Sequence, residues 1–67
     1  MLNDRQLIEK AKFEFRKLSN ETVTNTFITE ATDHTKIIVL RDDNRVLANF
    51  QVLKNDDLMR MDSPDIR

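Results

Sequence analysis

Residues 36–41 read KIIVLR, and their aliphatic run leaves both sides of a strand apolar. Alternation puts Ile37 and Val39 on one side and Ile38 and Leu40 on the other. Such a strand belongs in the middle of a sheet, and which pair meets the core decides inside from outside.

Downstream, Asp42-Asp43-Asn44 reads as a tight hairpin turn, because Asp and Asn tolerate positive φ. A following strand over 45–53 places Val46, Ala48, Phe50 and Val52 on one face, with Leu47, Asn49, Gln51 and Leu53 on the other. Upstream, Ala31-Thr32-Asp33-His34 is a polar turn. Before it, residues 22–29 are rich in β-branched side chains, with Val23 and Phe27 on one side and Thr22, Thr24, Thr26 and Ile28 on the other.

Residues 3–18 carry helix signals. Asn3 is an N-cap, Gln6 completes the capping-box spacing, and Asp4 suits the positive end of the helix dipole. Leu7, Ile8, Ala11, Phe15 and Leu18 fall on one stripe, and Phe13 falls on the far side. Ser19-Asn20 ends the helix, with Asn20 able to take the left-handed position.

The order helix, strand, strand, strand with short loops predicts an α+β domain over residues 1–54. Its N-terminal helix packs on a three-stranded antiparallel meander. Residues 55–67 are expected to form a short, polar, acidic and partly mobile C-terminal tail, where Asn55 or Asp56 could cap one helical turn carrying Leu58 and Met61.

The helix stripe is expected to meet Val23, Phe27, Ile37, Val39, Val46, Ala48, Phe50 and Val52. That leaves Ile28, Ile38, Leu40, Leu47 and Leu53 on the second sheet face, a patch that marks an interface when nothing covers it. Phe13, with Leu2, makes a smaller apolar spot. The tail's Leu58, Met59 and Met61, another protein, or a second copy could cover the sheet. The reading adopted is the second copy, since a chain of 67 residues without cysteine has a marginal core.

Composition removes other classes. Glycine is absent, which excludes Gly-rich phosphate loops and dinucleotide fingerprints, and absent cysteine excludes disulfides and thiolate zinc sites. No cofactor and no metal is expected. His34 is the single histidine and has no serine or cysteine beside it; Asp42, Asp43 and Asn44 lack calcium-loop spacing. An enzyme is therefore not expected.

Residues 1–20 hold five basic and three acidic side chains, and Arg5, Lys12 and Arg16 make a basic stripe on the helix. This stripe carries the alternative reading, a nucleic-acid-binding module. Against it stand the neighbouring Glu9, a net charge of −1, and a sheet without tryptophan or tyrosine. MLNDRQLIEK carries no apolar leader segment and no stretch reaches membrane-spanning length, so the expected location is the cytoplasm. The functional expectation is a small non-catalytic protein-binding module of a bacterium or phage, homodimeric, with a regulatory or accessory role.

Overall fold

The structure, a computed structural model, describes residues 2–61. Helix α1 spans Asp4–Arg16, and the strands are β1 Asn25–Glu30, β2 Lys36–Arg41, β3 Val46–Val52 and β4 Leu58–Met61. They form one antiparallel sheet in the order β1-β2-β3-β4. The class is α+β, but the sheet has four strands rather than three.

Both halves of the capping box are made: Asn3 Oδ1 accepts the Gln6 N–H at 2.8 Å, and Gln6 Oε1 accepts the Asn3 N–H at 3.0 Å. Leu7, Ala11 and Phe15, four residues apart, form the buried stripe. The helix stops at Arg16, two residues short of the end its stripe suggests. Leu18 therefore lies beyond it and is 67% exposed. Lys17 caps it in right-handed geometry, and Asn20 does not adopt positive φ.

The fourth strand comes from the segment expected to be tail. Lys54–Asp56 make a 3-10 turn in which Asn55 and Asp56 take φ of 66° and 62°. They stand where a chain with glycine would use it. The Leu53 N–H then bonds the Asp57 carbonyl at 2.7 Å, and β4 pairs with β3 through Gln51↔Met59 and Val52↔Leu58. Residues 58–61 thus belong to the sheet and not to a helical turn. Residues 62–67 of the expected tail lie outside the described residues.

The larger correction concerns the faces of β2. Ile38 and Leu40 are fully buried and pack with Leu7, Ala11, Phe15, Ala48 and Phe50. Ile37 and Val39 face away from the helix. The cause is one residue. A tight turn with unbroken register would set Val39 opposite Ala48. Instead Leu40 stands opposite Ala48 while Arg41 stands opposite Val46, so Leu47 is an extra residue in β3. This bulge shifts the phase of β2 by one, and in a sheet a shift of one exchanges the faces.

The same shift decides the rest. Phe27 pairs with Val39 and turns outward with it, whereas Ile28 pairs with Ile38 and packs against the core. Val46, at the bulge, is exposed. The turn itself uses no positive φ; Asp42 Oδ1 accepts the N–H groups of Asn44 and Arg45 at 2.7 and 2.9 Å. Lys36 Nζ lies 2.9 Å from Asp4 Oδ1, tying β2 to the first helical turn.

Candidate protein interface

Cross-strand partners share a face, so the register writes out the sheet surface away from the helix. One row runs Phe27, Val39, Asn49, Met61, and the next runs Thr29, Ile37, Gln51, Met59. Asn25, Arg41 and Val46 close one end. No carboxylate occurs in these rows. Their centre is apolar with two side-chain amides, and Arg41 is the one charge.

Phe27 and Met59 are 44% and 47% exposed on opposite sides of this surface. Val39, between them on a central strand, is only 7% exposed although it lies outside the helix-side core cluster. The methionines add side chains that adapt to the shape of what packs on them.

The expected interface residues are scattered by this geometry. Ile38 and Leu40 lie in the core, so neither is a surface contact, and Ile28, half-buried on β1, packs against it. Leu47, in the bulge, is half-buried, and Leu53, entering the 3-10 turn, is 38% exposed. Phe13 is 62% exposed on the outer helix face, with Lys17 Nζ 4.7 Å from its ring centroid. Phe27, Ile37, Val39, Met59 and Met61 occupy the open face instead. For the methionines the available signal was the alternation Leu58/Arg60 against Met59/Met61, which is short but of period two.

The helix stripe shows less cohesion. Lys12 Nζ lies 3.8 Å from Glu9 Oε2, so one of the three cations is shared with a carboxylate. Lys12 and Arg16 line a cleft of about 370 Å³ with Ser19, Asn20 and Thr22, and Glu21 stands in its wall. Arg5 does not line it.

His34 sits in the β1–β2 turn at φ 70° with Nδ1 3.7 Å from Glu30 Oε1, largely exposed. The Asp33 carboxyl beside it is held below its usual 3.8, first by the Thr35 hydroxyl and then by the Thr35 N–H. Asp42 is likewise lowered by the N–H groups of Asn44 and Arg45. Asp43 accepts the Thr24 hydroxyl at 3.1 Å. These oxygens are occupied in turn-making, and among the described residues no group of three or more candidate ligands converges as a metal site would require. No described helix is long and apolar enough to cross a membrane.

Comparison with family models, with curated proteins and with solved structures finds no match to this chain.

Proposed function

We propose that this protein is a small non-catalytic protein-binding module that acts as a homodimer, in a regulatory or accessory role. The open sheet face is its contact surface. The observation that carries this reading is the row Phe27, Val39, Asn49, Met61 with its neighbours Ile37 and Met59. An apolar surface of this extent beside a small core supports an interface.

A second copy suits the surface because the rows hold no acid and one cation, so two such faces bring few charges out of water. The molecule measures 29 × 25 × 17 Å. Two broad faces of that size would bury on the order of 1,000 Å², at the lower limit for a specific interface.

Met59→Asp tests the reading. Met59 is exposed, so the variant should keep its fold, while its mass by light scattering falls to half that of the parent. A parent chain that is monomeric at millimolar concentration would overturn the proposal. The nucleic-acid alternative predicts salt-dependent retention on DNA that is lost in an Arg5→Ala, Arg16→Ala variant.

A further inference from the structure

The sheet leaves β1 as an edge, and that edge lacks the usual protections. It is six residues long, Asn25-Thr26-Phe27-Ile28-Thr29-Glu30. It holds no proline and no lysine, its register with β2 is continuous, and its one charge is at its end. Natural edges are commonly shortened, bulged or charged to prevent pairing. The opposite edge, β4, has both of two such features: it is four residues long and carries Arg60.

The phase of the ladder tells which backbone groups are unused. The Ala31 N–H bonds the Thr35 carbonyl at 2.9 Å, in register with the pairs Thr29↔Ile37 and Phe27↔Val39. Hydrogen-bonded positions alternate along an antiparallel strand. Asn25, Phe27 and Thr29 therefore turn their N–H and C=O toward β2, and Thr26, Ile28 and Glu30 turn theirs outward. No strand pairs with that outward side among the described residues.

We infer that β1 pairs antiparallel with β1 of a second copy, about a two-fold axis at Ile28, to make one continuous eight-stranded sheet. This register sets Ile28 opposite the partner's Ile28 and Thr26 opposite the partner's Glu30. It uses all three outward positions and forms about six hydrogen bonds between copies, two per bonded pair. No like charges meet, and the Glu30 carboxylate faces a hydroxyl. On the open face Phe27 stands beside the partner's Thr29, as a non-hydrogen-bonded pair with its closer side chains. Moving the axis to Phe27 would bring Glu30 opposite Thr24, whose N–H is already given to the Arg41 carbonyl at 2.9 Å. Moving it to Thr29 would bring Glu30 opposite Ile28. The axis at Ile28 is the self-complementary one.

This inference does not rest on face-to-face packing, and two measurements separate them. In amide hydrogen exchange, the N–H groups of Thr26, Ile28 and Glu30 should slow about tenfold when nine-tenths of the chains are paired, and recover on dilution. Met59→Asp should leave that protection intact. Because the chain has no cysteine, Phe27→Cys and Thr29→Cys variants can be mixed under oxidised glutathione. The mixture should form a mixed disulfide between the two variants, and each variant alone should not cross-link. Fast exchange at every concentration overturns the pairing, as does protection that persists in a monomer. Cross-linking of Phe27→Cys with itself would overturn the register.

Discussion

The Leu2 N–H donates to Asp56 Oδ2 at 2.8 Å, and Lys10 Nζ reaches the Asp56 carbonyl at 2.7 Å. One residue of the β3–β4 connection thus holds the start and the middle of the helix region. It does so from a left-handed backbone position, which Asn accepts readily and Ala does not. Asp56→Ala should cost about 1–3 kcal/mol, from a lost partly buried hydrogen bond and added backbone strain. Asp56→Asn should cost clearly less, because it keeps an acceptor oxygen and the backbone preference. Denaturant melts of the two variants decide; equal losses would mean that the contact contributes little.

The core prediction follows from the exchanged faces of β2. Leu40 is fully buried on the helix side, so Leu40→Asp should unfold the chain rather than merely separate subunits. Phe15→Ala and Phe50→Ala should each cost about 3–5 kcal/mol, close to the whole stability of a small domain. Phe13→Ala should lie within about 0.5 kcal/mol of the parent, as exposed positions do. Circular dichroism at matched concentrations checks all four.

Acid should weaken the fold in a definite window. The Asp33 and Asp42 carboxyls are held below 3.8 by turn N–H groups and, for Asp33, the Thr35 hydroxyl. A lowered folded-state value means the carboxylates stabilise the fold above their ordinary value, and that this contribution is lost as pH falls through the lower folded value. The loss therefore falls below pH 3.8. An Asp33→Asn, Asp42→Asn variant should lose less melting temperature than the parent on going from about pH 5 to about pH 2. An identical fall in both would assign acid sensitivity to other carboxylates.

The helix was legible because its signals are local: a capping box at Asn3 and Gln6, and a stripe at spacing four. The strands around β2 were legible as strands for the same reason. Their phase was not, since KIIVLR reads alike from either side and the deciding residue, Leu47, looks like an ordinary member of an alternating strand. β4 was hidden by its length of four residues and by an Asn-Asp turn doing the work of glycine. The candidate interface depended on both, so Phe27, Ile37, Val39, Met59 and Met61 emerged only with the register. Phe13 needed the helix phase alone and lies on the outer face accordingly.

The bulge at Leu47 also bears on how this chain can change over generations. Losing or gaining one residue in a hairpin turn is usually among the mildest of length changes. Here the turn and the bulge jointly set a count, and a change of one residue in that count would present Ile37 and Val39 to the helix in place of Ile38 and Leu40. Both pairs are aliphatic and differ by about one methylene, so the interior would stay apolar in either phase. Descendants of this sequence could therefore swap lining for surface without a single substitution in β2. Related chains, aligned by letters alone, would then match perfectly where their insides and outsides are reversed.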